Sequence, residues 1–390
     1  MKQKHSHFLI PGILLLGIVL RAPFTTLSTV LSDIASGLGV EVSSLGLLTS
    51  LPLLTFAIFS PFAASWAKRF GIERLFLGVL IVMTLGSALR TFNLPLLYVG
   101  TILVGAGIAF INVLLPSLIQ ANQPDRLGFL TTLYITSMGL STAVASSVAV
   151  PITKATSWQG LVWVLTAVCA LALVIWLPNV RHNHYLEQDT STSENSGSWY
   201  KSGKVWAIMI FGGLQSLFFY TTITWLPTMA TQSGVGEANA GILASVFTLT
   251  SIPFSMIVPS LITKLSNRNR HVMLVATVLA GLVGVAMLLV NTNSFVYWLV
   301  LNLLIGSSAS ILFPYMMVVF SMKASSPEKT AQLSGLAQTG GYIFAALGPV
   351  LFGSSQQLFN SWTPAVLILL ALTLIMGIAL YKVEKTDVIL

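Results

Sequence analysis

The chain has 390 residues, 55% of them hydrophobic and only 8% charged, with a mean hydropathy of +0.86. A soluble globular protein carries about a quarter of its residues as Asp, Glu, Lys or Arg, and a disordered chain combines low hydropathy with high net charge, so both classes are excluded. A polytopic membrane protein remains, because only lipid accepts apolar surface facing outward on every element.

The net charge of +8 is scattered between apolar runs rather than gathered on one exposed face, which argues against a nucleic-acid partner. The single Cys169 leaves no disulfide framework and no CxxC metal site, and nothing in the sequence calls for a cofactor.

The first apolar run covers 8–31. Its start, MKQKHSH followed by FLIPGILLLGIVL, has the basic and apolar regions of a signal peptide, but no small-x-small cleavage site follows. Arg21 interrupts the run instead, so the segment reads as a retained first helix. At about 20 residues per span, further runs at 44–66, 75–92, 95–119, 127–150 and 160–178 complete a set of six. A polar stretch follows, containing RHNHYLEQDTSTSENSGS, with the composition of a flexible linker. A second set lies at 204–227, 238–263, 271–290, 296–320, 331–354 and 362–381. The expected organisation is an N-terminal six-helix bundle over 1–178, a linker over 179–203 and a C-terminal six-helix bundle over 204–390.

Loop charges orient such a chain. Lys2 and Lys4, then Lys68, Arg69 and Arg74, Arg126, and Arg181, Lys201 and Lys204 lie on one side of the spans. Lys264, Arg268, Arg270, Lys323, Lys329, Lys382 and Lys385 fall on the same side, and only Arg90 and Lys154 on the other. Both termini and the linker are therefore expected in the cytoplasm, with the chain in the cytoplasmic membrane. Weak internal repetition supports two related halves. Thr49-Ser50-Leu51-Pro52 returns as Thr250-Ser251-Ile252-Pro253, and Pro124-Asp125-Arg126 as Pro327-Glu328-Lys329.

Twelve spans in two halves resemble the major facilitator superfamily, whose loop signature is expected after the second span. The residues there run from Ala64 to Arg74 and match the G-x3-D-R/K-x-G-R-K/R pattern in part. Arg69 and Gly71 fit, Ala64 stands for the first Gly, and Lys68 replaces the Asp. Lys68, Arg69, Gly71 and Arg74 are thus candidate gating or topology residues. A closer resemblance is to the branch containing cyanate and 2-nitroimidazole transporters. It is carried by LRAPFTT at 20–26, RFGIERL at 69–75, GIAFINVLLPSLI at 107–119, PDRLGFLTTLY at 124–134 and GLQSLFFYTTITWLP at 213–227. This resemblance implies an all-α membrane protein of twelve transmembrane helices in two pseudo-symmetric six-helix bundles. It also implies an inner-membrane carrier of a small polar or anionic solute that works by alternating access.

Arg21 is the sharpest single feature. At 1.5 Å per residue it stands roughly 20 Å into a hydrocarbon core about 30 Å thick. A guanidinium there costs at least about 2.5–3.5 kcal/mol unless something compensates it. Pro23 deprives the carbonyl of Val19 of its helical donor and loosens the helix locally. All eleven acids and all five histidines are expected in loops, ends or the linker. That leaves Arg21 without a counter-ion, and its planar fork suits a compact anion or an electron-rich nitro or carbonyl group. The resemblance places spans 1, 4, 7 and 10 around a central cavity. Asn112, Gln215, Tyr315 and Gln338 then become candidate polar contacts, and Phe24, Tyr220 and Trp225 flat walls for a small planar solute. Each amide has an alternative role as an interhelical hydrogen bond, and each aromatic as packing.

Secondary transport by a monomer, between halves closing on a midplane solute, is the leading reading. Efflux of toxic compounds is the alternative, and a non-transporting sensor on the same scaffold is weaker. No GK[ST] loop supports ATP-driven pumping. No intramembrane nucleophile, acid and base constellation supports an enzyme.

Overall fold

The computed structural model describes residues 6–40, 45, 47–186 and 202–389, with backbone alone for 47, 49, 50, 53 and 237. Most of the expected linker, 187–201, lies outside the described residues, as do Lys2, Lys4 and Lys201 of the charge pattern.

Every described element is helical. The first span is built from three pieces, α1 (Leu9–Val19), α2 (Ala22–Thr25) and α3 (Leu31–Leu38), with a 3-10 stretch at Thr26–Val30 between the last two. There follow α4 (Leu47–Phe70), α5 (Ile72–Leu89), α6 (Leu94–Asn122), α7 (Leu127–Ala155) and α8 (Trp158–Trp176). After the linker come α9 (Gly203–Gln232), α10 (Glu237–Lys264), α11 (Asn267–Met287), α12 (Phe295–Met322), α13 (Pro327–Phe359) and α14 (Thr363–Lys385). Among the described residues, 11 helical stretches are long and apolar enough to cross a membrane. The 24-residue α4 lies between the first and second of them. The twelve spans expected from the apolar runs are all present as helices.

The helices run past the apolar runs because their ends find partners. Asn93 opens α6 by accepting from the Leu96 amide at 3.0 Å, and Ser157 opens α8 by accepting from Gly160 at 3.1 Å. Such caps satisfy amides that a helix leaves free at its start. Prolines sit inside α4, α6, α7, α9, α10, α12 and α13, as is common where neighbouring helices and hydroxyls re-satisfy the freed backbone.

The chain forms two compact units, one of Met1–Ser191 with Ser325–Thr339, the other of Thr192–Ala324 with Gly340–Leu390. In the first, α6 packs against α4 and α5, α5 against α8, and α1 against α7 and α8. In the second, α12 packs against α10 and α11, α11 against α14, and α9 against α14. The neighbour pattern of the second unit thus largely repeats that of the first. The N-terminal part of α13 belongs to the first unit. There Ser117 donates to the Pro327 carbonyl at 2.5 Å, and Thr330 donates to Gln120.

Candidate functional site

The helix break expected near Pro23 is present, and Arg21 sits on it. α1 ends at Val19, and the Arg21 amide reaches the Ile18 carbonyl at 3.2 Å in a tightened last turn. Arg21 then leaves the helical region with φ −125° and ψ −53°. Its carbonyl starts the next helix, accepting from the Phe24 and Thr25 amides at 3.0 and 2.9 Å and from the Thr25 hydroxyl at 3.0 Å. The Thr26 hydroxyl donates to Ala22, Ser28 to Thr25 and Thr29 to Thr26. Hydroxyls at i−3 and i−4 carbonyls keep a tightened backbone satisfied where lipid supplies no donors. The Arg21 side chain is half-buried. Among the described residues no carboxylate pairs with it, because the ion pairs present are Lys68–Glu328, His184–Glu73 and Arg270–Glu384. Beside it, Phe24 meets Phe56 edge to face, with centroids 5.9 Å apart.

A second arginine serves the same break. Arg90 was expected in an outer loop but is only 1% exposed. It caps the C-terminus of α5 and turns inward, and its Nη1 donates to the Pro23 carbonyl at 2.7 Å. Room for its stem comes from Gly100 on α6, where a β-carbon would stand 2.8 Å from Arg90 Cγ. Arg90 Nε finds no acceptor among the described residues. A charge at the edge of an apolar run reads as a topology signal in sequence. Only the fold shows that it points back into the protein.

The other candidates divide by unit. In the first, Asn112 and Gln338 come together. Gln338 Nε2 donates to the Asn112 carbonyl at 3.0 Å and to the Ser334 hydroxyl at 2.8 Å, tying α13 to α6. In the second, Gln215 is 2% exposed on α9 and its Oε1 has no hydrogen-bond partner among the described residues. Tyr220 is half-buried and packs edge to face on Phe219 at 5.1 Å. Trp225 donates from its indole to the Pro349 carbonyl at 2.8 Å and packs on Trp362, 5.2 Å between centroids. Tyr315 is fully buried and donates to Glu384 at 2.6 Å. Trp362 and Glu384 mark opposite ends of α14, roughly 33 Å apart at 1.5 Å per residue. Trp225 and Tyr315 are therefore held too far apart for one small solute to touch both at once.

The acids correct a sequence expectation. Glu73, Glu328 and Glu384 were assigned to loops and ends, yet all three lie in terminal turns of spanning helices and are at most 8% exposed. Glu73 accepts from Asn122 at 3.0 Å, from the His184 amide at 2.7 Å, and faces His184 Nδ1 at 2.7 Å. That hydrogen bond raises the pKa of His184 above its ordinary 6.5 despite opposing desolvation. Glu384 takes Arg270 Nε at 2.5 Å, and Lys323 donates to the carbonyls of Glu384 at 3.0 Å and of Thr386. Burial pulls Lys323 below its usual pKa of 10.5, against the opposite pull of Glu384. Each unit thus closes one end with a pair joining the first turn of its third span to the chain at or beyond its sixth. The polarity is reversed between the two units.

The loop after α4 is equally engaged. Lys68, standing where the pattern has Asp, pairs with Glu328 in the first turn of α13. Arg69 lies 5.4 Å from the Phe70 ring centroid. Gly71 adopts φ +81°, a region that favours glycine, and a β-carbon there would run into the Asn183 side chain. The Arg74 amide donates to Asn183 at 3.0 Å and its guanidinium to Tyr185 at 3.1 Å. The start of the linker is therefore fastened to this loop.

An all-helical fold with 11 described stretches long and apolar enough to cross a membrane defines a multi-pass membrane protein. The chain belongs to the Major Facilitator Superfamily, whose signature matches residues 13–349 and 208–388. It is a secondary transporter and not an enzyme. It is 34% identical over 383 residues to the uncharacterized transporter YycB of Bacillus subtilis, covering 97% of this chain and 94% of that one. It is also 34% identical to the 2-nitroimidazole transporter of Escherichia coli, over 96% of this chain and 95% of that one. The cyanate transport protein CynX of Escherichia coli is more distant, at 23% over 90% of each chain. The solved proton:xylose symporter XylE shares the fold, with a TM-score of 0.76 at 11% identity over 96% of this chain and 95% of that one.

Proposed function

We propose that this transporter carries a small polar or anionic solute, of the compact electron-rich kind that cyanate and nitroimidazoles represent, with Arg21 as its electropositive anchor. The observation that carries this reading is the Arg21 guanidinium, half-buried at a helix break and without a carboxylate partner among the described residues. An intramembrane charge is costly and marks function by default. A bound anion or nitro group supplies the missing partner with the bidentate geometry that arginine favours. Phe24 and Phe56 supply an apolar wall beside it. The names of two relatives, the 2-nitroimidazole transporter and the cyanate transport protein, agree with this class.

We also read both termini as cytoplasmic, from the 16 of 19 basic residues that mark one side, and the two six-helix repeats as the parts that alternate. Flux of nitroimidazoles and small anions into liposomes tests the proposal. Arg21→Ala abolishes flux while leaving protein yield and monodispersity intact, and Arg21→Lys retains a reduced rate. Full transport by both variants would sink the anchor role.

A further inference from the structure

The second unit carries a groove apart from the residues proposed to contact the solute. It runs between α11 and α14 and has a volume of about 270 Å³. Its body is aliphatic, lined by Leu274, Val275, Val278, Leu279, Leu374 and Ile378. Gly377 gives it depth: a β-carbon there would lie 2.8 Å from Val278 Cγ1, so α14 meets α11 across a glycine. Val275, Leu279, Leu374 and Ile378 are exposed. On a membrane-spanning helix pair, such a surface faces hydrocarbon.

One end of the groove is polar. His271 meets Tyr381 edge to face at 5.1 Å and closes the aliphatic body. One helical turn further on, in the same stripes, stand Arg268 on α11 and Lys385 on α14, both exposed. Lys382 is exposed beside Tyr381. Two acids lie close in sequence. Glu384, on the groove wall, is already engaged by Arg270 at 2.5 Å and by Tyr315 at 2.6 Å. Asp387 lies two residues past Lys385 and is exposed. The balance at this mouth is therefore cationic.

We propose that this groove is a binding site for an anionic phospholipid, one acyl chain lying along the aliphatic body and the phosphate held by Arg268, His271 and Lys385. Hydrocarbon exposure along the groove requires an apolar occupant, and a basic pocket between spanning helices at one leaflet selects an anionic headgroup. A zwitterionic lipid fills the same body but meets the cations with no net charge. Under the orientation proposed above, the occupied leaflet is the cytoplasmic one. The occupant braces α11 against α14 directly over the Arg270–Glu384 pair.

Native mass spectrometry of the delipidated full chain, titrated with dioleoylphosphatidylglycerol or dioleoylphosphatidylcholine, tests this. The first phosphatidylglycerol is expected to bind at a concentration roughly tenfold below that for phosphatidylcholine, on the order of two basic contacts. The double variant Arg268→Gln with Lys385→Gln, at exposed positions that the fold does not need, removes that difference and leaves phosphatidylcholine binding unchanged. Ile378→Trp, on the open face of the groove, lowers binding of both lipids. Equal binding of the two lipids to the native chain, or a preference that survives in the double variant, overturns the proposal. Competition by glycerol 3-phosphate at the lipid's own concentration also overturns it, by making the site one for free phosphate.

Discussion

Two arginines gathered at Pro23 show how differently a charge can be legible. Arg21 interrupts a long apolar run, so its cost and its importance follow from position alone. Arg90 stands near the end of an apolar run, where a cation is ordinary, and only folding turns it back onto the Pro23 carbonyl at 2.7 Å. Removing it takes the charged donor from a buried carbonyl, and a hydrogen bond from a charged donor is worth about 1.5–3 kcal/mol. Arg90→Leu is expected to open the helix break. Amide hydrogen exchange over residues 19–27 should accelerate at least roughly tenfold, since about 1.4 kcal/mol is a factor of ten. Exchange unchanged from the native chain would mean that Arg90 does not hold the break. In sequence Gln215 is one amide among several, and burial without a partner for Oε1 among the described residues separates it from Gln338, whose donor is committed to helix packing.

At the scale of elements, helix ends carry information that apolar runs do not. The runs are bounded by charge, so Glu73, Glu328 and Glu384 look like loop residues. Their helices extend over them because each acid finds cations or amides on a neighbouring element. The His184–Glu73 pair makes one such end titratable. Its raised folded pKa means the stabilisation is complete below the ordinary value of 6.5 and is lost as pH rises through the higher folded value. Thermal unfolding of the native chain should therefore show a melting temperature that declines with pH above 6.5, and His184→Gln should flatten that decline. Glycines separate in the same way. Gly100→Ala pushes a β-carbon against Arg90 and the Gly86 carbonyl and is expected to cost about 1–3 kcal/mol. Gly78→Ala meets open space and should be neutral or stabilising by up to about 1 kcal/mol. A chemical-denaturation midpoint for each variant checks both.

At the scale of the whole molecule, sidedness is open to a direct experiment, because Cys169 is fully buried and leaves a quiet background. In intact cells, an impermeant maleimide should label Asn291→Cys and spare Lys264→Cys and the native chain. Labelling of Lys264→Cys from outside would reverse the proposed orientation. Composition and periodicity by themselves determined the solvent, the number of spans and the one charge that interrupts a span. These are properties of local runs, and a bilayer reads runs directly because each span must satisfy its own backbone. Tertiary structure alone decided where the remaining polar groups go. It set Arg90 on the Pro23 carbonyl, buried three acids in end-closing pairs, joined Gln338 to Asn112 and held Trp225 and Tyr315 at opposite ends of α14. Those outcomes depend on which neighbour supplies a partner across a helix interface, and no spacing within one run encodes the neighbour.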